Sequence, residues 1–309
     1  MAMYGATVGQ LGILRREMTC NQASCAMIVD PREADARFLF YNLMHHRHRI
    51  TALALGAAQQ NLNAGQIKSY SLPFPSVSEQ QRIAGVLGAF DDLIETNHQT
   101  VESLEALATA AAYLPLETVA LSAVASLGST KHVRPTTQVD HFSIPAFDNN
   151  RRPAEDHGSN IKSGKLSVSC PTALVSRLNP ITPRTWMAYP DESPAVASTE
   201  FVPLLGKQEV TTEHVWAVTN HGEFWAQMRS TASGSTNSRQ RVDRNAIPEI
   251  LVPDPRALKP AHRKAITAIV QGAEALRREN QNLTRQRDEL LPLLMSGKVR
   301  VSEVEGSLP

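Results

Sequence analysis

Two stretches of this 309-residue chain carry an unbroken heptad of apolar positions, and a chain with two such stripes must bury them against something. The first is Ile83, Leu87, Phe90, Ile94, Asn97, Val101, Leu104, Ala108 and Ala111; the second is Ile266, Ile269, Ala273, Leu276, Asn280, Leu283, Arg287, Leu290 and Leu294. Each spans 28 residue steps and has an asparagine at its midpoint. Paired antiparallel in full overlap, the helices bring Asn97 opposite Asn280, where the two amides can satisfy each other and fix the register. The other reading leaves each asparagine at a wet edge. A pair of such helices measures roughly 43 Å at ~1.5 Å per residue, slightly more than one turn of DNA at ~34–36 Å. Pro292 falls in the last turns of the second stripe, so that helix is expected to kink or end nearby.

The segments ahead of the two helices resemble each other. "CNQASCAMIVDP" then "RFLFYNLMHHRHRITALALGAAQQN" corresponds to "ASTEFVPLLGK" then "HVWAVTNHGEFWAQMRSTASGSTNSRQR". Each gives an expected strand, a short aromatic-bearing helix and a glycine (Gly56, Gly234) opening a polar loop. "IKSYSLPFP" or "IPEILVPDP" then leads into a long helix, for which Ser78 with Gln81 offers a capping box in the first copy. An internal duplication explains the match. Only the second copy is preceded by some sixty further residues, so the first is expected to lack its front half and to expose strand edges.

Other features narrow the function. Charge is balanced, 31 basic against 30 acidic residues, so no global field announces a polyanionic partner. Three cysteines, Cys20, Cys25 and Cys170, form no CxxC pair and are expected as buried thiols in a reducing cytosol. Neither a membrane span nor a signal peptide is legible, which points to a cytoplasmic protein. "GSNIKSGKL" has the wrong spacing for a phosphate loop and Leu166 where a hydroxyl is needed. No nucleophile elbow, carboxylate–lysine nuclease arrangement, dinucleotide fingerprint or amino-methyltransferase tetrapeptide occurs. His45, His46 and His48 lack a companion ligand at helical spacing and fit a solvated helix face better than a metal site.

Charge is nevertheless segregated locally. Residues 128–190 hold eight basic side chains against four acidic, and residues 191–227 one against six. The loop Gly234, Ser235, Thr236, Asn237, Ser238, Arg239, Gln240, Arg241 then turns basic. Arginine and amide side chains can clamp phosphates or bind base edges bidentately, and glycine permits close approach. Those residues, with Lys131, Arg134, Lys162, Arg177 and Arg184, and Gln59, Gln60 and Asn61 in the first copy, are the candidate DNA contacts. A solvated surface loop is the competing reading.

Taken together, "YGATVGQLGIL", "NQA", "GAAQQNL", "SEQQRIAGVLGAFDDLIETN", "LVSRLNPITPRTW", "ASTEF" and "LLPLLMSGKVRV" resemble the specificity subunit of type I restriction–modification systems. The resemblance implies an α+β fold with two target-recognition domains separated by two long helices pairing as an antiparallel coiled coil. Residues 1–77 would be a partial first domain, 78–113 a central spacer helix, 114–257 a complete second domain, 258–297 a C-terminal spacer helix and 298–309 a tail. It also implies no catalysis by this chain. Its partners would be double-stranded DNA, two modification subunits carrying S-adenosylmethionine, and restriction subunits using ATP and magnesium. An incomplete first domain would follow from a mis-set start, a disrupted gene or a split subunit. The alternative is a structural adaptor that holds the modification subunit without reading sequence.

Overall fold

The computed structural model describes residues 1–54, 61–114, 117–129, 131–233 and 240–301. The chain divides into two compact units, one comprising Met1–Gln99 with Arg277–Pro309 and the other Thr100–Leu276.

In the first unit, helix α1 (Ala36–Thr51) starts where the Asp35 carboxylate accepts from the Phe38 N–H. A second helix, α2 (Ala64–Ser69), is closed by a reciprocal capping box between Asn63 and Gln66. The long helix α3 (Val77–Ala112) begins two residues earlier than expected. Ser76, not Ser78, occupies the capping position, with its hydroxyl 3.4 Å from the Glu79 N–H, because Ser76-Val77-Ser78-Glu79 is itself a Ser-x-x-Glu box. The partner helix α8 (Pro260–Met295) runs through Pro292 and ends three residues later.

None of the 18 stripe positions on α3 and α8 is exposed. Within the first unit the helices run antiparallel: Asn97 Nδ2 donates to Asn280 Oδ1 (3.0 Å) and to Glu279 Oε2 (2.9 Å), and Asn280 Nδ2 donates to the Ile94 carbonyl (3.0 Å). Two turns away Asp91 accepts from Arg287 (2.5 Å) and from the Tyr41 hydroxyl of α1 (2.5 Å). Arg287 thus fills an apolar stripe position because a carboxylate meets it there. Phe38 and Tyr41 pack with Ile83, Leu87, Leu291, Leu294 and Val301 as the core of this end.

The second unit holds the sheets. A four-stranded antiparallel sheet runs in the order β2 (Ala125–Leu127), β10 (Phe201–Gly206), β7 (Thr172–Ser176), β8 (Thr185–Ala188). A five-stranded sheet runs β3 (His132–Val133), β6 (Lys165–Val168), β9 (Ala195–Ala197), β4 (Gln138–Phe142), β5 (Ala154–His157), with β4 and β9 parallel. A third pair joins β1 (Thr118–Ala120) to β11 (Leu251–Pro253). Every residue of β7 and β8 is buried because both faces are covered. Ala173, Val175 and Met187 face one core with α6 (Thr212–Asn220) and α7 (Gly222–Ser230), while Leu174, Trp186 and Ala188 face the other with Phe142, Leu166 and Val168. Helix α6 is anchored to α8 by His214, whose Nδ1 accepts from the Thr211 N–H (3.1 Å) while Nε2 donates to the Arg263 carbonyl (3.1 Å). The single helix expected here is two, because His221 takes an extended conformation between them.

The duplication is visible in the hydrogen bonds. Met3 N–H to Ala23 O (2.8 Å) repeats as Arg177 N–H to Glu200 O (2.9 Å), and Ser24 N–H to Asn21 O (3.1 Å) as Phe201 N–H to Ser198 O (3.0 Å). Leu62 N–H to Met3 O (2.8 Å) repeats as Val242 N–H to Arg177 O (3.0 Å). Even the side-chain turn is shared: Ala23 N–H meets Asn21 Oδ1 (3.0 Å) where Glu200 N–H meets Ser198 Oγ (3.3 Å).

Two expectations need correction. The strand expected within residues 20–31 is a single bridge, Ala2 with Ser24. Its counterpart β10 pairs along its length with β7 and β2, whereas among the described residues this segment pairs only at that one bridge. Ile28, at the place of Leu205, is accordingly 99% exposed. The cysteines are free, but Cys20 and Cys170 are exposed and Cys25, at the margin of a small core with Met3, Leu43, Ile50 and Leu62, is half-buried, since all three lie in irregular chain.

Candidate nucleic-acid interface

The candidate residues of the second unit divide into three groups. Arg177, Gln240 and Arg241 are brought together where two segments of backbone pair. Asn179 N–H donates to the Gln240 carbonyl (2.9 Å), and Arg241 bridges both Leu178 and Ser233. The Ser233–Arg241 bridge closes the base of the glycine loop. Gly234, Ser235, Thr236, Asn237, Ser238 and Arg239 lie outside the described residues, as do Gln59 and Gln60 of the first copy.

Glu200 organises this base. Its carboxylate accepts from Arg241 Nη2 (2.9 Å) and Nε (3.1 Å) and stands 3.6 Å from Arg177 Nε. The Arg241 guanidinium, and secondarily Arg177, hold the Glu200 carboxyl below the usual carboxylate range. Arg241 remains 44% exposed, so its charge is shared between a fixed carboxylate and solvent.

Arg184 is placed differently. Its Nε and Nη2 donate to the two oxygens of Asp148 (2.7 and 2.9 Å), and only 11% of the side chain is exposed. This fork-to-fork pair ties β8 to α5 (Ile144–Asp148). Lys131, Arg134 and Lys162 are exposed around the β3–β6 ladder, away in sequence from the loop base. Arg134 lines a cavity of about 550 Å³ together with Asp191 and Glu192.

In the first unit Asn61 is exposed and bridges Tyr4, as Arg241 bridges Leu178. His45 and His46 lie on α1 with their rings edge to face, and burial lowers the proton affinity of both. Among the described residues no three histidine, cysteine or acidic side chains converge as a metal site would require. No helix among them is long and apolar enough to cross a membrane.

Sequence reasoning missed Glu200 and Asp148 as counter-ions. Glu200 stands in the quoted "ASTEF" run, and aligning Asn21 with Ser198 sets it opposite Ala23. That contrast was the available signal.

Comparison with known proteins bears on the same segments. Residues 1–106 match the family model described as type I restriction modification DNA specificity domain. A provisionally named type I specificity subunit of Mycoplasma genitalium is 33% identical over 102 residues, 32% of this chain and 27% of the relative. The type I restriction enzyme MjaIX specificity subunit of Methanocaldococcus jannaschii is 31% identical over 106 residues, 33% of this chain and 24% of the relative. The aligned stretch thus spans about a quarter of each relative's length. The crystal structure of a type I restriction–modification S subunit from M. genitalium shares the fold, with a TM-score of 0.56 at 19% identity over 95% of this chain and 81% of that one. Residues 1–106 thus resemble the specificity domain of type I restriction–modification subunits, within a mixed α+β fold built on two packed long helices.

Proposed function

We propose that this chain is the non-catalytic DNA-recognition and scaffold subunit of a type I restriction–modification enzyme. It directs adenine methylation, and cleavage when a restriction subunit is present, to a split DNA target. The observation that carries the proposal is the match of residues 1–106 to the specificity domain. The repeated backbone frame supports it, since two copies of one unit suit a target read in two halves. Residues 114–257 form the recognition domain with the full set of sheets, and 1–77 the first domain. Residues 78–113 and 258–297 are spacer helices with Asn97 and Asn280 setting their register, and 298–309 a tail. S-adenosylmethionine belongs to the two modification subunits, and ATP with magnesium to the restriction subunits.

In the second domain Gly234–Arg241 is the reading loop, with Lys131, Arg134, Lys162, Arg177 and Arg184 as further candidates. The test is site-specific methylation by the complex assembled with its modification subunits. Arg239→Ala, Gln240→Ala and Arg241→Ala combined should abolish or redirect it; an unchanged methylation pattern sinks the loop assignment. A structural adaptor is the second reading. It is favoured by the internal neutralisation of Arg184 by Asp148 and of Arg241 by Glu200. A stable complex with the modification subunits that shows no sequence preference would select it.

A further inference from the structure

The two copies share a backbone frame but not its charges. Through the duplicated bonds and bridges, Arg177 corresponds to Met3, Glu200 to Ala23 and Arg241 to Asn61. Counting on from the Leu62–Val242 match, Arg244 corresponds to Ala64. The first copy makes the same main-chain bonds with Met3, Ala23 and Asn61, and has neutral Ala64 at the fourth place. The three arginines and one glutamate of the second are therefore not required to build this frame.

Their charges do not cancel. Glu200 is committed to Arg241 and, at longer range, to Arg177. Asp243 is spent locally, accepting from the Asn245 N–H (2.9 Å). Among the described residues no carboxylate reaches Arg244. Its Nε and Nη2 are sealed from solvent without a hydrogen-bond partner, and so is Nε of Arg177 apart from the 3.6 Å approach to Glu200. Burial, with Arg177 as a like-charged neighbour, lowers the proton affinity of Arg244. A partly buried guanidinium beside another is costly unless an anion completes it. The group that completes it must carry full negative charge and acceptor oxygens, arriving at the foot of a loop proposed to meet DNA.

We propose that Arg177 and Arg244 form a clamp for one backbone phosphate of duplex DNA at the base of the second-copy loop, a site the first copy lacks. The inference rests on the DNA-recognition reading. It assigns these two arginines to positioning the duplex and leaves sequence discrimination to the loop above them. Glu200 keeps Arg241 oriented beside the clamp and supplies no acceptor to Arg244.

The experiment measures binding of the full-length chain, assembled with its modification subunits, to duplex DNA as salt is raised. For wild type the logarithm of affinity should fall linearly with the logarithm of salt concentration. Arg244→Ala should reduce that slope by about 0.9, about an eight-fold smaller loss of affinity per ten-fold rise in salt. It should weaken all duplex sequences alike. Arg244→Gln should behave the same way, Arg244→Lys should restore the slope, and Arg256→Ala, whose guanidinium Asp254 already holds, should leave it unchanged. A slope does not depend on the fraction of protein folded, so partial unfolding cannot mimic the result. If wild type binds with normal salt dependence and Arg244→Ala keeps the same slope, the clamp is overturned while the recognition reading stands. If wild type shows no salt-dependent binding, both fall.

Discussion

A methyl group at Gly206 would lie 2.0 Å from the Val210 carbonyl oxygen and 2.6 Å from the Thr211 carbonyl carbon. Gly206 ends β10, and its N–H is 3.3 Å from the Thr212 hydroxyl, so the chain folds back over the glycine before α6 begins. Both obstructing groups are main chain and cannot swing aside. Gly206→Ala should therefore cost at least about 1–3 kcal/mol of stability, measured by chemical denaturation, whereas Gly85→Ala, with open space around the added carbon, should not. At this scale the sequence was least legible. Arg184 and Arg241 look alike in a basic segment, yet Asp148 takes up the first completely and Glu200 holds the second while leaving it half in water. Asp148 is 36 positions from Arg184 and Glu200 is 41 from Arg241, separations over which no local pattern carries information.

Secondary-structure elements were more legible because their signals are local. Both long helices follow from a seven-residue period that one can count, and the asparagines at their midpoints do meet in the first unit. Asn97 is 6% exposed, and replacing it alone with leucine strands the Asn280 oxygen against an apolar side chain. We expect Asn97→Leu or Asn280→Leu singly to cost about 1–3 kcal/mol, and the double variant to recover most of it. Additive losses in that double-mutant cycle would mean the amides do not act as a pair. The break between α6 and α7 and the use of Ser76 as cap were not anticipated, since each turns on one residue's backbone conformation. His214 adds a pH dependence at the junction of α6 and α8. Burial lowers its proton affinity from the ordinary value of about 6.5, opposed by the hydrogen bond to the Arg263 carbonyl and by Glu213, and assisted only by the Arg263 charge. The unfolded chain then binds the proton more readily than the folded one. The stabilisation is complete above about pH 6.5 and is lost as pH falls below it. Protonation also removes the Nδ1 lone pair that accepts from Thr211. His214→Gln keeps an acceptor in the same capping position, so its thermal midpoint should fall less than wild type's between pH 7 and 5; parallel profiles would exclude His214 as the cause.

For the whole molecule, the duplication was the feature that sequence and structure described in the same terms. The correspondence of Asn21 with Ser198 in the sequence is the one the hydrogen bonds use. The sheets of the second unit were not foreseen in order or number, because β9 slips in parallel beside β4 across more than fifty residues of intervening chain. What the repeated frame implies concerns inheritance. A bond made by main-chain atoms alone is indifferent to nearly every substitution, proline at the donor excepted. The Met3 and Arg177 bonds at one end, and the Leu62 and Val242 bonds at the other, are joints of that kind. The stretch between them, residues 4–61 in one copy and 178–241 in the other, can change its surface chemistry wholesale while its ends still dock. A lineage of such chains can therefore change the charge carried at these joints, Met3 against Arg177 and Asn61 against Arg241, without disturbing the bonds that build them.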